Sequence, residues 1–211
     1  MMNENQSSIQ SLRRGFTIIE LMVSLAIISV LMSLLSPALG AAHESARRTA
    51  CLVHLRTLGQ AVQMYRNDHQ GALPYALNMY ALPVGWTDPI DALAPYIDVD
   101  PPHYDDRGRI VSGQPFRCPS DPGHADAYGS SYEYPPRDFM NGTSDGPGSP
   151  TAIAKNVTVH IYDTVRWSRP IFYDAGRWHP GGPKRSDNAA IDRNSLHLDG
   201  SVGWTAEDRL D

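Results

Sequence analysis

The sequence predicts an α+β protein: one very long N-terminal helix packed on a small antiparallel β-sheet with long loops. Three observations predict it. An apolar run extends from Phe16 to Leu39. Beyond it, Cys51, Leu55, Leu58, Val62 and Tyr65 recur at spacings of four, three, four and three, the period of one helix face. Alternating apolar and polar residues, the mark of half-buried strands, come only late in the chain.

Length and composition set the frame. The chain has 211 residues and a formal charge of −5, and no basic patch suggests a nucleic-acid partner. About 170 residues follow the apolar run, enough for one domain with its own core. The 17 glycines and 17 prolines predict many turns. Two cysteines, Cys51 and Cys118, are too few for a disulfide scaffold but suit one bridge in an oxidising compartment.

Residues 1–14 are mostly polar and end in Arg13-Arg14. The run after them is about 24 residues, or about 36 Å as a helix, enough to cross a bilayer. Basic residues before it favour a cytoplasmic N-terminus, although Arg47 and Arg48 on the far side weaken that bias. A secretory signal peptide would account for the small residues Ala38 and Gly40, but its apolar core is usually about 7–15 residues. A plain anchor would leave Glu20 unexplained, since a carboxylate at the bilayer centre costs roughly 2.5–3.5 kcal/mol on insertion scales. Ser29, Ser33, Ser36 and Gly40 form a small-residue face of the kind that lets helices approach closely, and Pro37 should kink the helix.

The segment Gly15-Phe16-Thr17-Ile18-Ile19-Glu20-Leu21, with arginines before it and an apolar helix after it, resembles the prepilin cleavage and methylation segment of type IV pilins and type II secretion pseudopilins. The resemblance covers roughly residues 12–70. It implies a pilin-like fold and cleavage between Gly15 and Phe16 by a prepilin peptidase, which also methylates Phe16. It implies that Glu20 neutralises the N-terminal cation of a neighbouring subunit, an attraction that strengthens where water is excluded. Against that role, Glu20 could instead pair with its own N-terminus or sit among headgroups. The implied organisation is a leader, 1–15; a transmembrane or filament-core helix, 16–39; its amphipathic continuation, 40–70; and a loop-rich periplasmic α+β domain with C-terminal strands, 71–211.

The helical stripe stops at Asn67-Asp68-His69-Gln70-Gly71, with Gly71 a C-terminal cap. Glu44 is spaced to pair with Arg47 and Arg48. Prolines punctuate residues 72–117, with a short helix predicted between Ile90 and Ile97, and residues 119–150 read as mostly loop. Val157, Val159 and Ile161 read as a strand, Ile171-Phe172-Tyr173 as a second, and residues 189–204 as a hairpin with a type I′ turn at Asp199-Gly200. The chain is also similar to bacterial prepilin-like proteins that carry a Tyr-x-x-Asp pattern (Tyr65 to Asp68), a Cys-Pro-Ser-Asp element (Cys118 to Asp121) and a terminal Asp-Gly hairpin. Asn194 matches their pattern, whereas Ala189 stands where many have histidine, and the nearest histidines are His179 and His197.

Cys51 and Cys118 can be read as a bridge tying helix to domain or, since Cys51 lies on the apolar stripe, as small core residues. The resemblance to pseudopilins raises calcium; Asp187, Asp192 and Asp199 are weak oxygen-donor candidates, with Asp174 before them, and solvation or turn chemistry explains each of the three as simply. No cofactor is expected. No catalytic motif is present, so no enzymatic activity is expected. The expected function is a structural subunit of a type II secretion pseudopilus or a type IV pilus-like filament. Its expected partners are prepilin peptidase, other pilin or pseudopilin subunits and an inner-membrane assembly platform. The alternative is a membrane-anchored or secreted periplasmic ligand-binding module that does not assemble.

Overall fold

The computed structural model describes residues 16–77, 88–141, 149–164, 169–180 and 193–204. The chain divides into two compact units, one through Ala42 and one from His43. Helix α1 (Ile18–Asp68) runs through both. In the first unit its large apolar side chains, Ile19, Leu25, Leu31 and Leu35 among them, are all exposed. It is the one described helix long and apolar enough to cross a membrane. Hydrocarbon offers no hydrogen bonds, so a helix that satisfies its own backbone suits such a segment. Its serines add little polarity: Ser24, Ser29 and Ser33 each donate back to a carbonyl of the preceding turn, those of Leu21, Leu25 and Val30. Pro37 lies inside the helix.

In the second unit α1 becomes one-sided. Cys51, Leu55, Leu58 and Val62 are fully buried, as their spacing predicts, and Tyr65 is half-buried. The helix ends at Asp68. Gln70 and Gly71 then both adopt positive φ (55° and 84°), and the Gly71 N–H returns to the Arg66 carbonyl at 2.7 Å. The Tyr65-to-Asp68 pattern anchors a later segment of the chain: Asp68 accepts from the Tyr96 hydroxyl at 2.9 Å, and Tyr65 packs edge-on against the Tyr96 ring. Tyr96 belongs to a 3₁₀ turn (Ala94–Tyr96) after the short helix α2 (Pro89–Leu93), whose N-cap Asp88 accepts from the Ile90 and Asp91 N–H groups.

Residues 119–150 hold more structure than a loop. A two-stranded ribbon of β1 (His103–Tyr104) and β2 (Ile110–Val111) precedes them. Within them lie α3 (His124–Tyr128), β3 (Tyr132–Glu133) and α4 (Pro136–Asn141). These elements are too short for periodicity to reveal. The strand expected at Val157 to Ile161 is instead helical: α5 (Pro150–Val157) continues into a π-helical turn (Thr158–Asp163). Ser149 caps α5 through the Ala152 N–H and Pro150 opens it, a regular start signal. Burial then follows helical spacing, at Ala154, Val157, Thr158 and Tyr162, while Val159 is exposed. Thr158 is internally satisfied, donating to the Ala154 carbonyl and accepting the Leu73 N–H.

The main sheet is antiparallel, in the order β3, β4 (Pro170–Asp174), β5 (Asn194–His197), β6 (Val202–Trp204). The last two strands form the predicted hairpin, with Leu196 opposite Val202. Its turn is not type I′. Gly200 has φ 83° but Asp199 does not share a positive φ; the Gly200 N–H bonds the His197 carbonyl and the His197 N–H bonds the Ser201 carbonyl. That is a type I turn closed by a glycine bulge, which needs only one left-handed residue.

The core lies between this sheet and the second half of α1, and includes Leu55, Leu58, Phe116, Tyr132, Phe172 and Leu196. Two polar ties join the same surfaces. The Gln63 amide donates to the Leu198 carbonyl at 2.8 Å, and the Tyr132 hydroxyl to the Cys51 carbonyl at 3.4 Å. Gly59 sets how closely they meet, because a Cβ there would stand 2.8 Å from Leu196 Cδ1. Gly59→Val therefore overpacks the interface and should cost about 1–3 kcal/mol, read as a lowered denaturation midpoint of the full chain in detergent. An unchanged midpoint would show that Leu196 gives way freely.

Candidate functional site

Two places in the chain concentrate polar chemistry. The first is the start of α1. Thr17 and Glu20 form a reciprocal cap: the Thr17 N–H and hydroxyl both donate to Glu20 Oε2 at 2.8 Å, and the Glu20 N–H donates to Thr17 Oγ1 at 3.2 Å. The spacing Thr-x-x-Glu is that of a capping box, which satisfies the otherwise unpaired N–H groups of a first turn. The acid that is costly in an apolar helix thus has a local partner in its own chain. Both bonds to it fall on Oε2, and no described residue donates to Oε1. Phe16 is 82 % exposed just before the cap. Gly15 and the leader lie outside the described residues.

The second is a polar seam in the second unit, where α1 meets the sheet. Cys51 and Cys118 are joined by a disulfide with Cα atoms 5.0 Å apart, both buried. Cys118 opens the Cys-Pro-Ser-Asp element, and each polar member of that element has a task. The Cys118 N–H donates to Ser131 Oγ at 2.9 Å. Ser120 donates to Glu44 Oε1 at 2.8 Å. Asp121 collects the N–H groups of Gly123, His124 and Ala125 and the Ser131 hydroxyl. Burial acts to raise the Asp121 carboxyl, but these bonds outweigh it and hold the carboxyl below its ordinary range.

Around the disulfide, residues from four segments interlock. His179 Nδ1 lies 3.0 Å from Glu44 Oε1, and its Nε2 lies 3.3 Å from Cys118 Sγ. Burial depresses the His179 imidazole despite Glu44, so at neutral pH it is neutral and bonds the carboxylate through Nδ1–H. Arg48, spaced to pair with Glu44, turns away to the sheet. It donates from Nε to Asn194 Oδ1 at 3.0 Å and stacks 4.0 Å over the Trp204 ring, while Arg47 keeps a 3.8 Å pair with Glu44. Asn194 in turn donates its N–H and Nδ2 to Asp174 Oδ2 at 3.0 and 2.9 Å. Asp174 is wholly buried, and burial pushes its carboxyl up to about 7 against Asn194, Arg193 and Arg48. Its Oδ1 has no hydrogen-bond partner among the described residues.

The expected sites fare differently. Asp199 is an exposed turn residue whose carboxylate accepts the Ser201 N–H at 2.9 Å. Asp187, Asp192 and Ala189 lie outside the described residues. An open cleft of about 730 Å³ lies beside the ribbon and α3, lined by Tyr104, Asp105, Arg109, Arg117 and Asp126. Its charges pair with one another, Arg109 with Asp105 at 2.8 Å and Arg117 with Asp126 at 2.6 Å, so it offers no unmatched charge to a ligand. Sequence reasoning singles out Cys118 to Asp121 and Asn194, and names Asp174 and His179 without bringing them together with Glu44. No spacing links those two to Glu44.

A family model described as the prokaryotic N-terminal methylation motif matches residues 10–36. The match spans the basic pair, the cleavage segment and the apolar run as far as Ser36. With that motif and the long apolar helix, the chain is prepilin-like and consistent with a type IV pilin or pseudopilin. Such a motif implies processing by a prepilin peptidase and assembly with other pilin subunits, and the helix fits membrane anchoring. No curated protein and no solved structure matches the chain.

Asp121→Ala should cost about 2 kcal/mol at pH 7, since it strips a cap and orphans several donors. The Asp121 carboxyl is depressed, so its contribution is present above its ordinary value of 3.8 and is lost as pH falls through the lower folded value. Urea denaturation at neutral and strongly acid pH should show the gap between variant and parent closing on acidification. A gap that persists unchanged would deny Asp121 this role.

Proposed function

We propose that this chain is a structural subunit of a type II secretion pseudopilus or a type IV pilus-like filament, with no catalytic activity of its own. It would be made as a single-pass inner-membrane precursor with a cytoplasmic N-terminus and a periplasmic domain. Prepilin peptidase would cut between Gly15 and Phe16 and methylate Phe16, and an inner-membrane platform would assemble the product. The observation that carries this reading is the capped carboxylate of Glu20 at the head of an exposed apolar helix, within a methylation motif. A cap alone calls for no charge, because glutamine serves equally in a capping box. The free Oε1 and the negative charge suit a second donor, the Phe16 amine that cleavage creates on a neighbouring subunit. The disulfide suits the oxidising periplasm.

The reading as a ligand-binding module would draw on concavities such as the open cleft, whose charges are internally paired. Mass spectrometry of the mature N-terminus separates the two. Methylated Phe16 supports the filament subunit, and a start at Ala41 or His43 would point to signal peptidase and remove it.

Glu20→Gln keeps the cap and deletes the charge; Thr17→Ala weakens the cap and keeps the charge. Processing should survive both substitutions, while filament incorporation is lost in Glu20→Gln and retained in Thr17→Ala. Immunoblots of sheared filament fractions would read this, and normal incorporation of Glu20→Gln would refute the charge pair.

A further inference from the structure

We propose that in the reduced chain Cys51, Cys118 and His179 bind a thiolate-preferring divalent cation of the zinc type, at the place the disulfide occupies in the oxidised chain. Three ligand atoms, the two sulfurs and one nitrogen of His179, come from segments far apart in sequence yet lie within 4.8 Å of one another, all buried. The Cα separation of 5.0 Å keeps both sulfurs on one side once the bond between them is broken.

Two further observations point to a cation rather than to chance packing. The Glu44 carboxylate fixes the His179 proton on Nδ1, so the Nε2 lone pair faces Cys118 Sγ at 3.3 Å. A disulfide sulfur carries no hydrogen, so this lone pair meets no donor there. A carboxylate behind a histidine, with the far nitrogen free, is also the arrangement that orients histidine toward zinc. Asp174 supplies the second observation. Its Oδ2 lies 3.7 Å from the same Nε2, and its buried Oδ1 has no hydrogen-bond partner among the described residues. Two sulfurs and an imidazole nitrogen make a three-donor set of the kind zinc takes with a fourth position left open, and Asp174 stands beside the imidazole. Two thiolates would favour a divalent cation, while Arg193 and Arg48 act on the neighbouring Asp174.

The chemistry balances with an external dithiol as reductant. The dithiol gives two electrons and two protons to the Cys51–Cys118 bond and becomes a disulfide itself, leaving two thiols. Cation binding then releases both thiol protons. A two-electron oxidant reverses this, re-forming the sulfur–sulfur bond and expelling the cation. Disulfide and metal are thus mutually exclusive states of one site.

The test uses the full chain in detergent, reduced with a dithiol and freed of it under anaerobic conditions, with Co²⁺ alone as probe. One equivalent of Co²⁺ should produce a thiolate-to-cobalt charge-transfer band and tetrahedral visible bands, and Zn²⁺ should displace them. The oxidised chain should show neither. His179→Gln should weaken Co²⁺ binding by at least about tenfold. A reduced chain without these bands, bands equally strong in the oxidised chain, or unchanged affinity in His179→Gln would overturn the proposal. Should reduction loosen the fold, Zn²⁺ should raise the unfolding temperature of the reduced chain and leave that of the Cys51→Ser, Cys118→Ser double variant unmoved. A reduced chain that Zn²⁺ fails to stabilise also overturns it.

Discussion

One constraint runs through the whole chain: a single helix must satisfy two surroundings. Through the first unit its apolar side chains point outward on every side, as hydrocarbon or neighbouring helices require. From Cys51 onward the same helix buries one stripe, Cys51, Leu55, Leu58 and Val62, and that stripe is the floor of the second unit's core. Everything in that unit is placed by reference to it. Gly59 admits Leu196, Gln63 holds the hairpin end and the Cys51 carbonyl receives Tyr132.

Apolar contact alone does not fix position along a helix, since it has no direction. The polar seam supplies direction. Arg48 to Asn194, and Glu44 to both Ser120 and His179, are bonds that one register satisfies. Their net stabilisation is small, about 1 kcal/mol for a typical hydrogen bond. The buried Asp174 works against the fold, because burial pushes its carboxyl up to about 7 despite Asn194 and two arginines. The disulfide is the larger stabilising influence. It spans 67 residues of sequence and contributes about 4 kcal/mol in the chain-entropy model. The bridge holds the segments together while the seam orients them.

How much of this is legible in the sequence depends on the range of the physics. Helical period over residues 51–65 and alternation around Asp199-Gly200 are local signals, and both correspond to real elements. The run from Val157 to Ile161 misleads because β-branched residues alternate there. The Ser149 cap and Pro150 outweigh that alternation, and the buried set Ala154, Thr158 and Tyr162 shows the true period. The type I′ expectation fails because one glycine suffices for a bulged turn, so Asp199 need not leave the ordinary region. The seam is beyond reach for another reason. Glu44, Cys118, Asp174, His179 and Asn194 are joined by tertiary packing, and no spacing rule spans such separations.

Glu20 shows how one residue can carry a local and an assembly role without conflict. The N-terminus of a helix holds about half a positive charge from its aligned peptides. On the proposed reading, cleavage adds an amine at Phe16, one residue before the cap. A subunit alone in the membrane would offset both with its own Glu20, whose Oε2 already binds Thr17. Nothing then drives assembly unless the neighbour's amine meets Oε1 in drier surroundings than its own. Coulomb attraction at 4 Å rises from about 1 kcal/mol in water to about 4 kcal/mol at an effective dielectric near 20. The difference exceeds the worth of most hydrogen bonds. Water exclusion by the packed apolar faces, rather than the charge pair alone, would therefore decide when Glu20 changes partner.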